Sequence, residues 1–244
     1  MQAAVIIPAR YASTRLPGKP LLDRTGKPLI VHVADQAAKA KLAKAVIVAT
    51  DDRRIAEVVK AHGHTAVMTR ADHPNGSSRI AEAASGLPKG YEIIINVQGD
   101  EPEIEPTVID RLIERIKINS EMVATVVCPF AAGEDVSNPN VVKVVVGQSG
   151  RCLYFSRSVI PHRRDEQTER PSYLKHLGIY AYRRHFLDLY SRMSPTPAER
   201  AEQLEQLRIL EQGHAIGAIA VERAHQGIDT PEQYEAFVKR FVNA

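Results

Sequence analysis

No tryptophan occurs in the 244 residues, aromatic residues make up only 5%, and there are just two cysteines, Cys128 and Cys152. So few thiols, without a Cys-x-x-Cys spacing or a histidine cluster beside them, exclude a disulfide scaffold and a cysteine-based metal site; buried free thiols in a reducing compartment are expected. A strong charge of either sign is also missing, since Lys and Arg exceed Asp and Glu by only 32 − 29 = 3. That balance excludes the basic footprint of a nucleic-acid binder. No apolar run has the length to cross a bilayer, and the first residues read as a strand instead of a charged leader, so the expected location is the cytoplasm, away from membranes. What remains is a globular composition, with 44% hydrophobic and 25% charged residues, in a chain of a size that buries a substantial core.

The first half alternates short β-branched runs with helical patterns: strands over Ala4–Pro8, Ala45–Thr50 and Ala66–Thr69, helices over Leu29–Ala40, Arg54–His62 and Arg79–Ser85. This rhythm predicts βαβ units on a parallel sheet. Ile93 to Val97 is apolar at successive positions, as a central strand covered on both faces requires. After a helix over Thr107–Asn119 the pattern becomes strand-rich, at Val123–Cys128, Val141–Val146, Cys152–Ser156 and Leu177–Arg183, which predicts an antiparallel extension. A helix over Ala198–Gln212, a strand over Ala215–Val221 and a last helix opened by Asp229-Thr230-Pro231-Glu232 complete the reading. The polar stretch Arg163–Ser172 is the segment best suited to a mobile loop.

The first strand leads into Pro8-Ala9-Arg10-Tyr11-Ala12-Ser13-Thr14-Arg15-Leu16-Pro17-Gly18-Lys19-Pro20, which carries three cations and two hydroxyls at the end of a strand where open α/β sheets bind ligands. It has neither the glycine-rich turn of a dinucleotide fold nor the Gly-Lys-Ser/Thr ending of a P-loop, so a dehydrogenase or P-loop enzyme is excluded. Its chemistry suits a polyphosphate, and a solvated basic loop is an equal alternative on pattern alone. Asp100, just past the central strand, fits a turn or a magnesium ligand. Asp229 fits a helix start.

Residues 8–20 resemble the N-terminal signature of the 3-deoxy-manno-octulosonate (Kdo) cytidylyltransferases, or CMP-Kdo synthetases. The similarity continues in order through Val48-Ala49-Thr50-Asp51, Asn96-Val97-Gln98-Gly99-Asp100-Glu101-Pro102, Asn138-Pro139-Asn140 with Val142-Lys143, and Tyr154-Phe155-Ser156-Arg157. His176-Leu177-Gly178-Ile179-Tyr180, Leu204-Glu205-Gln206-Leu207-Arg208 and Gly227-Ile228-Asp229-Thr230-Pro231 extend it to nearly the full length. The resemblance implies a three-layer α/β fold of the nucleotide-diphospho-sugar transferase type, with a mixed, mostly parallel central sheet. It also implies a single domain over residues 1–244, in which 1–120 serve mainly the nucleotide and 121–244 the sugar acid and a homodimer contact.

By the same resemblance, Ala9, Arg10, Ser13, Arg15, Lys19, Asn75, Gly76 and Arg79 would meet CTP, with Arg10, Lys19 and Asp100 as catalytic groups. Asp100 and Asp229 would hold Mg²⁺, while Gln98, Arg157, His176, Tyr180 and Glu205 would contact the sugar acid. Kdo is the expected acid, an 8-amino analogue or a sialic acid the alternative, and a protein that binds nucleotide without turnover a third. One stretch departs from the pattern. Where members carry His-x-Ser-Gly-Thr, an acidic residue and Arg, this chain has His73-Pro74-Asn75-Gly76-Ser77-Ser78-Arg79, a loop expected to face the cytosine and ribose.

Overall fold

The computed structural model describes residues 1–12, 16–165, 167, 169, 171–223 and 227–242. Its first four strands are β1 (Gln2–Ala9), β2 (Ala43–Thr50), β3 (Thr65–Met68) and β4 (Tyr91–Asn96), joined by helices α1 (Leu29–Ala38), α2 (Arg53–Ala61) and α3 (Gly76–Ser85). All pair in parallel in the order β3-β2-β1-β4, so the chain winds outward from β1 in one direction and then returns to its other side. That reversal between β1 and β4 opens a crevice at the carboxyl ends of the two strands.

Helix α4 (Pro106–Ile118) leads to β5 (Val123–Pro129), and β8 (Leu174–Arg183) inserts antiparallel between β4 and β5. β9 (Ile216–Ala220) closes the edge in parallel with β5, while β6 (Lys143–Val146) and β7 (Cys152–Ser156) form a hairpin whose first strand meets the start of β8. The expected α/β architecture with a mixed, mostly parallel sheet and an antiparallel extension is what the structure has.

Alternation along the strands builds the three layers. In β1 Ala3, Val5 and Ile7 face the core under α1, α2 and α4, whereas Ala4 and Ile6 face the core shared with α3 and α5 (Arg184–Tyr190). Both faces being covered explains why Ile93, Ile94 and Ile95 are all fully buried. At about 25 cal/mol per Å² of apolar area, burying such side chains is the main favourable contribution to the fold. A smaller third cluster sets Leu16 and Leu29 against Ile228, Tyr234 and Phe237 of the closing segment and α8 (Pro231–Val242).

Two departures from the sequence reading concern the second half. The helix expected over Ala198–Gln212 is two short helices, α6 (Pro197–Glu202) and α7 (Leu207–Glu211), because Gln203 adopts a left-handed conformation (φ 52°) that ends the first. Helix α5 has no counterpart in the sequence reading, which assigns nothing between Arg183 and Ala198. Of the stretch expected to be a mobile loop, Glu166, Thr168 and Arg170 lie outside the described residues. Among the described residues no helix is long and apolar enough to cross a membrane.

Candidate active site

The crevice is a cavity of about 390 Å³ lined by Ala9, Arg10, Lys19, Asn75, Gly76, Arg79, Gln98, Asp100, Glu205 and Asp229, among others. These come from five separated stretches, and the backbone explains their meeting. Gly99 lets the turn after β4 approach the end of β1: a Cβ there would stand 2.9 Å from the Pro8 carbonyl oxygen. The Ile228 N–H then donates to the Asp100 carbonyl at 2.9 Å, which fixes the following Asp229 beside Asp100.

Lys19 sits in a 3-10 turn (Lys19–Leu21) and points its ammonium between the two aspartates. Nζ donates to Asp100 Oδ2 at 2.7 Å, to Asp229 Oδ1 at 3.0 Å and to the Ile228 carbonyl at 2.8 Å. Positions 81 and 210 residues away in sequence thus share one cation. The helix-start alternative for Asp229 is resolved by its neighbours. Thr230 accepts from the Gln233 N–H and Gln233 Oε1 accepts from the Thr230 and Asp229 N–H groups, a capping box that leaves the Asp229 carboxylate turned to Lys19. Two carboxylates converging on one cationic point are the donor set that Mg²⁺ takes, with water and substrate oxygens completing its shell. Among the described residues no group of three or more His, Cys, Asp or Glu is arranged to hold a metal.

Beside this pair lies a residue to which the sequence reading gave no role. Glu101 is turned into a narrow apolar slot with Ile104, Leu177 and Ile179, and burial, then the neighbouring Asp100 and Asp229 charges, push its carboxyl up to about 8.

On the α3 side, Asn75 caps the helix by accepting from the Ser78 N–H at 2.9 Å, and Gly76 stands at the wall over Pro8. Arg79 is buried and spends its guanidinium on Asp51 Oδ2 (3.0 Å), Thr69 and the Arg70 carbonyl, tying α3 to the ends of β2 and β3. Arg10 is exposed at the mouth. Ser13 and Arg15 lie outside the described residues.

The residues expected on the sugar side divide. Gln98 and Glu205 line the cavity; Arg157, His176 and Tyr180 stand outside its described lining. Gln98 donates to the Gly178 carbonyl at 3.2 Å, where a register shift in the β5–β8 pairing sets Gly178 and Ile179 out of the ladder. His176 bonds Thr125 Oγ1 at 2.9 Å and sits edge-on to Phe155 at 4.9 Å. Burial drives its pKa down to about 3, so the ring is neutral. Tyr180 follows it in a column that runs through Tyr182 to Tyr190.

Arg157 gives its guanidinium to the carbonyls of Glu202 (2.7 Å), Pro139 (2.9 Å) and Gln203 (3.3 Å), pinning the end of β7 to the turn that presents Glu205. Burial raises the Glu205 carboxyl against the hydrogen bond from Ser77. Lys143, from the motif beginning at Asn138, is buried and donates to the Asn138 and Val141 carbonyls, so that motif organises its own loop.

Known proteins resemble this chain in sequence and fold over nearly its whole length. A family profile described as cytidylyltransferase matches residues 4–216. The chain is 47% identical to a 3-deoxy-manno-octulosonate cytidylyltransferase of Syntrophobacter fumaroxidans over 98% of this chain and 96% of the relative. It is 45% identical to a protein of the same name from Geobacter metallireducens over 98% of each. Among solved structures, CMP:2-keto-3-deoxy-manno-octonic acid synthetase complexed with CTP superposes with a TM-score of 0.93 at 43% identity, covering 100% of this chain and 99% of the other. A cytidylyltransferase from Leptospira borgpetersenii, at 18% identity, a TM-score of 0.66 and coverage of 100% and 88%, shares the fold.

Proposed function

The chain belongs to the 3-deoxy-manno-octulosonate cytidylyltransferase family, and from that premise we propose that it transfers the CMP half of CTP to the anomeric oxygen of Kdo and releases diphosphate, the activation that precedes lipopolysaccharide assembly. The observation that carries this reading is the meeting of Lys19, Asp100 and Asp229 at the floor of one crevice.

In this reading the anomeric hydroxyl gives up its proton to water and forms a new bond to the α-phosphorus as the bond from that phosphorus to the departing diphosphate breaks. Two polyanions must approach each other, so the work of the side chains is alignment and charge compensation. Arg10 and Lys19 neutralise the triphosphate and the charge that collects on the leaving group. Asn75 and Gly76 border the nucleotide; Gln98, Arg157, His176, Tyr180 and Glu205 are assigned to the sugar acid. Asp100 and Asp229 would hold Mg²⁺, which supplies further neutralisation of the phosphate charge when bound. A cytosolic homodimer completes the proposal, with the exposed Leu153 and Tyr154 of β7 offering an apolar contact.

The test is diphosphate release from each nucleoside triphosphate with Kdo, its 8-amino analogue and a sialic acid, with Mg²⁺ and with a chelator. Release from CTP with Kdo, lost on chelation and restored by Mg²⁺, is expected. Nucleotide binding without release from any pair overturns the reading, and sedimentation checks the dimer.

A further inference from the structure

Ser77 lies one residue beyond Gly76, in the loop expected to face the nucleotide, yet its side chain is 9% exposed and turned away from the crevice. It lines a second cavity of about 470 Å³, which meets the first along Pro74, Asn75 and Glu205. Its hydroxyl donates to Glu205 Oε2 at 3.2 Å. The Tyr190 phenol in turn donates to the Glu205 carbonyl at 3.1 Å. Glu205 is therefore gripped twice, at its backbone by the aromatic column and at its carboxylate by Ser77. The turn that carries it follows the left-handed Gln203, so no regular helix holds it in place.

A glutamate side chain left to itself loses considerable rotamer freedom when it is ordered against a ligand. Ordering it beforehand removes that cost from binding. We propose that Ser77 is a positioning residue for the sugar acid, acting through Glu205 and making no contact with the nucleotide. The inference rests on the function proposed above and assigns Ser77, within the departing loop, to the sugar half of the site. The hydroxyl is the feature that matters, because a hydroxyl has one proton to give and here it goes to the carboxylate.

Steady-state diphosphate release by the full chain, with CTP and Kdo varied in turn, tests this. Ser77→Ala is expected to raise KM for Kdo about tenfold, as the loss of a hydrogen bond to a charged group does, with KM for CTP at its wild-type value. Ser77→Thr, which keeps the hydroxyl, restores KM for Kdo. In a Glu205→Gln background Ser77→Ala adds nothing further, since the two then share one interaction. A rise in KM for CTP with that for Kdo unchanged overturns the inference, as does an alanine variant with wild-type constants. Should Ser77→Ala fail to fold, Ser77→Cys, which keeps the packing and offers only a weak donor, decides in its place. A wild-type protein that releases no diphosphate from CTP with Kdo overturns the functional reading and this inference together, an outcome distinct from an active wild type with an unaffected variant.

Discussion

The floor of the crevice and the wall beside it hold their polar groups in opposite ways. On the floor charge meets charge: the Lys19 ammonium stands between Asp100 and Asp229, with Arg10 exposed above. In the wall His176 is neutral, Arg157 is spent on backbone carbonyls, and tyrosines stack behind them. A charge held by another charge can exchange partners when a charged ligand arrives, whereas a group held by carbonyls and ring stacking keeps a shape. On the proposed function, the difference would separate the region that answers the phosphates from the region that sets the outline of the sugar.

The sharpest way to break that division is Asp100→Asn. Turnover is expected to fall about a hundredfold or more, on the order of 3 kcal/mol of transition-state stabilisation, with the circular dichroism unchanged. A folded variant with near-normal release rates would put the floor on the same footing as the wall.

A smaller effect, confined to the wall, comes from His176. Its folded pKa of about 3 lies below the ordinary 6.5, so between those values the unfolded chain binds more protons than the native one. The stability this group permits is complete above pH 6.5 and is lost as the pH falls toward 3. Urea unfolding at pH 7 and pH 5 should reveal its share, up to about 2 kcal/mol, and His176→Phe should abolish that share. Equal acid sensitivity in the variant assigns the titration to another group.

The smallest effect is at the capping box. Thr230→Ala is expected to lower stability by about 1 kcal/mol in thermal or denaturant unfolding, while Lys19 still holds Asp229. An unchanged midpoint would show that Gln233 alone caps the helix.

Most of the sheet was legible because its signals are local. Short β-branched runs and 3.6-residue periodicity fix β1 to β4 and α1 to α4 to within a few residues. Helix α5 follows β8 without a turn residue to announce it, and the break after α6 depends on a glutamine in a conformation that glycine usually takes, so neither left a signal. Leu204-Glu205-Gln206 reads as amphipathic helix for the same reason. In the site, Asp100 and Asp229 were reached through ordered motifs, not through spacing. Arg157 shows the limit: its partners are carbonyl oxygens of Pro139, Glu202 and Gln203, and a backbone acceptor has no residue identity to read.

One tie described above, the Ile228 N–H on the Asp100 carbonyl, makes the last helix a latch. Helix α8 packs in its own small cluster, apart from the two large cores that sandwich the sheet. Peeling it away would carry Asp229 off while every strand pairing stayed intact, so on the proposed metal role of Asp229 a local melting would disarm the enzyme before it denatured. With Asp229 in its proposed metal role, inactivation and unfolding would be separate events, and a heated sample would pass through a form that is folded by spectroscopy and inert by assay.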